Sequence, residues 1–191
     1  RQHLPQAQIS LTEGFSLSML EGLRAGRLDL VVMYAPPASP DLETLLLGDE
    51  ALVLVSAGPA GKGGQRARLP ASITLQQLSA LPLLLPSRPN AFRILVDAEM
   101  ARIACKPQIA MEIDGLNAIL DLVKDGLGYA VLPRYALKTV AAPHPFVLHR
   151  ITAPRLHIQL HVVRSAKRAT TETHREALQV VQRVFAKLGA S

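Results

Sequence analysis

Apolar and polar residues alternate through Ala7-Gln8-Ile9-Ser10-Leu11-Thr12, which predicts a strand with one buried face. Glu13-Gly14-Phe15-Ser16 follows as a turn. Ser16 or Ser18 is placed to cap a helix, and Ser18 with Glu21 has the capping-box spacing. Leu17, Leu20 and Leu23 then share one helical face, and Gly26 supplies the left-handed residue that ends it. Leu28-Asp29-Leu30-Val31-Val32-Met33 is nearly all apolar, as a parallel strand buried on both faces would be, and it stops at Tyr34-Ala35-Pro36-Pro37.

The same order returns about 100 residues later, as repeated βαβ units would. Gln108-Ile109-Ala110-Met111-Glu112-Ile113 alternates as a strand, and Asp114 has the chemistry of a helix cap. Leu116, Ile119, Leu120 and Val123 mark a helical face, Gly126 ends it, and Tyr129-Ala130-Val131-Leu132 is a short strand stopped by Pro133. Two copies of strand, helix, glycine and strand predict two α/β lobes.

Between the copies, residues 50–55 form another candidate strand, and a Gly-rich basic loop follows over 58–68. A short helical turn is expected at 75–78, a proline-ended strand at 81–86, and a helix at 92–102 with Leu95, Val96, Ala98 and Met100 in the core. Leu156, Ile158, Leu160 and Val162 alternate with His157, Gln159, His161 and Val163, a strand with one mostly polar, solvated face. The final helix, from about Thr171 to Leu188, carries Leu178, Val181, Val184, Phe185 and Leu188 on one stripe.

In open α/β sheets, ligands bind beyond the carboxyl ends of strands, where helix N-termini offer amides to negative or strongly polar groups. Three such mouths are expected, at 13–16, 34–37 and 86–90. Ser16, Tyr34, Ser87, Arg88, Asn90, Tyr129 and Pro133 lie at strand or helix ends. Arg88 has the planar fork that holds a carboxylate.

Composition narrows the chemistry. The chain has 191 residues, 49% apolar and 19% charged, enough to bury a core without disulfide or metal. Its one cysteine, Cys105, excludes an internal disulfide and fits a reducing, cytoplasmic setting. Its apolar runs fall far short of the ~20 residues of a membrane span, and its first residues have no signal-peptide character. Residues 1–57 carry three Lys/Arg against seven Asp/Glu, while the other 18 Lys/Arg lie in 58–191 against eight acids. Those positive charges are scattered and aromatics make up only 4%, so a solvated basic surface is expected rather than a nucleic-acid grip. Gly61-Lys62 lacks the phosphate-loop spacing, and no Gly-x-Ser-x-Gly elbow occurs. His157 and His161 are four apart on a strand without a third ligand, and Cys105 has no indicated His partner. No catalytic group, metal or cofactor is expected.

One family gathers these features. Glu13-Gly14-Phe15-Ser16, Leu20-Glu21-x-Leu23-x-x-Gly26-x-Leu28-Asp29-Leu30 and Glu50-x-Leu52-Val53-Leu54-Val55 resemble the LysR-type transcriptional regulators. So do Glu112-Ile113, Gly126-Leu127-Gly128-x-Ala130-Val131-Leu132-Pro133, and the order through Pro154, Leu156 and Leu160. Leu85-Pro86-Ser87-Arg88-Pro89-Asn90 further resembles a subgroup that includes nitrogen-assimilation regulators. The resemblance implies an effector-binding domain with two Rossmann-like subdomains and a hinge cleft, of the periplasmic-binding-protein type II-like fold. Lobe I would be 1–57 plus 157–191, and lobe II 58–156 with the hinge crossings. Its first strand and most of its first helix are expected to be missing, and Gly58-Pro59-Ala60-Gly61-Lys62 replaces the family's His-Pro-Leu.

The ligand contacts implied are Phe15, Ser16, Tyr34, Ser87, Arg88, Asn90, Tyr129 and Pro133. The implied partners are a small polar or anionic effector and further copies of the chain, as homodimer or homotetramer, with residues 8–12 and 116–124 near the interface. DNA would be met only through a helix-turn-helix outside this chain, and a membrane not at all. A transport solute-binding protein is the alternative. An enzyme of the same fold, such as a dehydratase, would need a cleft nucleophile or base that the sequence does not offer.

Overall fold

A computed structural model describes residues 4–5, 7–14, 16–58, 69–138 and 146–189. Phe15 and most of the Gly-rich loop lie outside the described residues. The chain forms two compact units, Arg1–Asp49 with Gln159–Ser191, and Glu50–Ile158. Among the described residues no helix is long and apolar enough to cross a membrane.

Unit 1 contains α1 (Ser16–Arg24), β1 (Val31–Tyr34), the first part of β2 (Leu42–Ala57), most of β8 (His157–Ser165) and α6 (Glu172–Gly189). Leu20 and Leu23 of α1 pack on Val31, Met33, Leu42 and Val163. β1 runs antiparallel to β8, with Val31 opposite Val163 and Tyr34 opposite Leu160. This corrects the expected parallel strand: Val32 is 40% exposed, so only one face of β1 is sealed. Residues 7–14 form no strand either, and Leu11 is 93% exposed. Alternation alone does not make a strand; its amides need a neighbouring ladder. Ser18 sits inside α1 rather than capping it. Val184 is exposed, while Leu178, Val181 and Phe185 form the half-buried stripe of α6.

Unit 2 is built on the second part of β2, which lies antiparallel between β6 (Tyr129–Pro133) and β7 (Phe146–Thr152). β4 (Leu83–Leu85) pairs in parallel with β6 on one side and β5 (Ile109–Glu112) on the other. α4 (Leu116–Lys124) connects β5 to β6 past β4, which makes the second predicted βαβ unit a true crossover. A short strand, β3 (Ser72–Thr74), runs parallel to β7 and leads into α2 (Leu75–Ser79), whose capping box joins Thr74 and Gln77. α3 (Ala91–Arg102) follows β4, and α5 (Arg134–Lys138) follows β6. Leu54, Val55, Leu83, Leu85 and Val131 are wholly buried, as the apolar runs require. Ala98, expected inside, faces solvent, while Arg93 and Met100 are buried.

Both predicted glycine stops are real, and both are Schellman motifs. Gly26 (φ +73°) bonds its N–H to Leu23 O at 3.1 Å, and Arg27 N reaches Gly22 O at 2.9 Å. Gly126 (φ +78°) repeats this with Val123 O at 2.9 Å, while Leu127 N reaches Leu122 O at 3.0 Å. Gly126→Ala should therefore cost about 1–2 kcal/mol through left-handed strain, read as a lower urea midpoint. Gly48→Ala, with open space around the added carbon, should leave the midpoint nearly unchanged.

Candidate functional site

β4, β5 and β6 are parallel, so their carboxyl ends share one rim of unit 2. Ser87, Asp114 and Pro133 stand at or just beyond those ends, and α3 and α4 begin there. The register separates Tyr129 from this group. It is level with Leu83, at the start of β4, and so occupies the opposite rim from Pro133. Ser16, the first residue of α1, and Tyr34, the last of β1, are half-buried in unit 1.

The rim loops are tied together by side chains. Ser87 N donates to Asp114 Oδ1 at 2.9 Å. Asp114 thus serves the neighbouring loop and does not cap α4, whose N-cap is Gly115 with no side-chain bond. Asn90 caps α3, its Oδ1 accepting from Phe92 N at 2.9 Å. That bond uses the carbonyl side of the amide and leaves its NH₂ to other partners.

Behind the rim lies a charge network that the sequence reading missed. Arg93 is 4% exposed. Its Nε donates to Asp97 Oδ2 at 2.8 Å, and its Nη1 to Glu112 Oε1 at 2.7 Å and Pro86 O at 3.3 Å. Burial pulls the Arg93 pKa down, but Glu112 and Asp97 outweigh it and hold the group above its ordinary value. The guanidinium therefore links the ends of β4 and β5 to α3. Arg88 forks onto the same Asp97 oxygen, Nε at 2.9 Å and Nη2 at 2.6 Å. The carboxylate it grips is internal. The i,i+4 spacing of Arg93 and Asp97 was visible in sequence, but it reads equally as a surface pair. Only Pro86 and Glu112, brought in by the parallel strands, reveal the burial.

Ser56 and His149 are buried and 2.8 Å apart, with His149 Nδ1 2.6 Å from Pro70 O. A carbonyl only accepts, so Nδ1 carries the proton and the Ser56 hydroxyl donates to Nε2. The arrangement resembles a nucleophile and base, but burial of both side chains makes it a clasp between β2, β7 and Pro70. His161, expected on a solvated face, is half-buried, and its Nδ1 is buried without a hydrogen-bond partner among the described residues. Cys105 is a half-buried free thiol. Among the described residues no group of three His, Cys, Asp or Glu side chains could hold a metal.

The comparisons bear on the family and the fold. A family model described as the LysR substrate binding domain matches residues 1–186. A probable hydrogen peroxide-inducible genes activator of Streptomyces viridosporus is 33% identical over 139 residues, which cover 70% of this chain and 42% of that protein. The nitrogen assimilation regulatory protein nac of Klebsiella aerogenes is 27% identical over 169 residues, covering 87% and 52%. The chain thus spans about half the length of the curated relatives it matches. The solved BenM effector binding domain with its effector benzoate superposes with a TM-score of 0.78 at 20% identity, covering all of this chain and 84% of that one. The fold is accordingly the α/β, periplasmic-binding-protein type II-like fold, and a transport solute-binding protein is not favoured. The chain belongs to the LysR substrate-binding domain family.

Proposed function

We propose that this chain is the effector-binding and oligomerisation part of a longer, cytoplasmic LysR-type transcriptional regulator. The observation that carries the reading is the family match over residues 1–186, on a fold whose parallel strands end at a polar rim. The effector is small and polar or anionic. Ser87, Arg88 and Asn90 stand beside the first turn of α3, where backbone amides favour negative charge. Pro133 shapes the same rim, and α4 adds a second helix start without a side-chain cap. Ser16 and Tyr34 are the corresponding candidates in unit 1. The benzoate of the BenM domain, a carboxylate, supports this ligand class.

Binding acts by population shift. An effector with different affinities for two arrangements of a homodimer or homotetramer changes their balance, and with it the presentation of DNA-binding arms outside this chain. The domain itself binds without converting. The test is a thermal-shift panel of metabolites with chemical recovery of the ligand. A hit should raise the melting temperature of the purified chain by mass action and be recovered unaltered. A ligand consumed by the chain, or a panel of anions and neutral polar compounds without any shift, would refute the reading.

A further inference from the structure

The two arginines of the rim are not equivalent, and their difference deepens the effector reading, on which this inference rests. Asp97 Oδ2 accepts three N–H groups, one from Arg93 and two from Arg88. Arg93 is buried and keeps a second carboxylate: its Nη1 donates to Glu112 and to Pro86 O. The Arg88 side chain is 66% exposed, and its Nε and Nη2 both reach Asp97 Oδ2. Asp97 is the seventh residue of α3, which places it about 9 Å along the helix axis from the first. The Arg88 guanidinium is therefore held by a side chain of α3 beyond its first turn.

We propose that Asp97 is an internal competitor for Arg88. It occupies the cation that an anionic effector at the start of α3 would use, and so sets the concentration at which the effector binds. Arg93 makes the exchange possible. When Arg88 leaves, Asp97 keeps its bond to Arg93, and no buried charge is left unpaired. The parked contact joins a 66%-exposed arginine to a 17%-exposed carboxylate, so it weakens anion binding by about fivefold. A carboxylate or phosphate held by both the Arg88 fork and the helix start offsets this loss. A neutral ligand gains nothing by releasing Arg88. The device thus selects for charge and fixes sensitivity together.

The test uses the purified chain and Asp97→Asn, Arg88→Ala and the double variant. The probes are benzoate, lactate and inorganic phosphate, with benzamide and lactamide as neutral counterparts. Asp97→Asn should tighten at least one anion about fivefold and leave the amides unchanged. Arg88→Ala should weaken the same anion, and the double variant should match Arg88→Ala. Anions that bind the wild type but ignore Asp97→Asn, or tighten equally when Arg88 is absent, would overturn the proposal alone. Absence of binding by every probe, together with a blank metabolite panel, would remove the effector reading and this proposal with it. A panel hit with all five probes silent would remove only the proposal. Should Asp97→Asn not fold, side-chain nitrogen resonances of the wild type decide. The Arg88 Nε–H signal should move on adding anion while that of Arg93 stays. Any other pattern contradicts the assignment.

Discussion

Arg93→Met should destabilise the chain by about 3–5 kcal/mol, the range for removing one partner of a buried ion pair. Methionine fills much of the same volume but donates nothing. Asp97 and Glu112 then face each other without the cation between them, and Pro86 O loses its N–H. Arg88 partly neutralises Asp97 from the solvent side, which places the loss toward the lower end of that range. Urea unfolding followed by circular dichroism reads the change. Arg93→Lys should recover part of it, since one ammonium can reach a carboxylate but cannot span three acceptors. A Met variant as stable as the wild type would mean that the network is ornamental and the rim is held by backbone pairing alone.

Leu84→Ala should cost a comparable 2–5 kcal/mol, for a different reason. Leu84 lies in β4, between β5 and β6, and belongs to the cluster formed by Val53, Val55, Ile119, Leu120, Val123, Ala130 and Leu132. Its neighbour Gly128 shows how closely the layers meet. A Cβ built there would stand 2.8 Å from Pro82 O and 2.9 Å from Leu84 Cγ. The backbone cannot close further around a truncated side chain, so a cavity remains. The denaturation midpoint should fall without a change in slope. An equal loss for Leu84→Met would argue against the cavity account, because that swap nearly conserves volume.

The parts of the fold written in local pattern were legible. Gly26 and Gly126 announced their helix ends, since left-handed backbone leaves few alternatives to glycine. The second βαβ unit was legible because its strands have neighbours to complete their ladders. The first was not, because residues 7–12 have the same alternation but form no ladder among the described residues. Pairing partners are a tertiary property that periodicity does not encode. The site divides the same way. Ser87 and Asn90 could be placed from strand and helix ends. Tyr129 and Pro133 read alike as ends of one strand, because the rim that each end meets is set by pairing with β4, which one strand's sequence does not show. Arg88 reads as a carboxylate fork, but only the fold supplies its partner on the next helix and the burial of Arg93 that fixes that partner in place.

The most direct measurement of the central claim is amide hydrogen exchange of the purified chain, with and without a saturating ligand from the metabolite panel. The account predicts that protection in unit 2 concentrates at residues 86–92 and 113–117, the carboxyl ends of β4 and β5 and the helix starts beside them, with the ligand intact afterwards. Protection centred on the opposite rim around Tyr129, or loss of the ligand during the experiment, would contradict it.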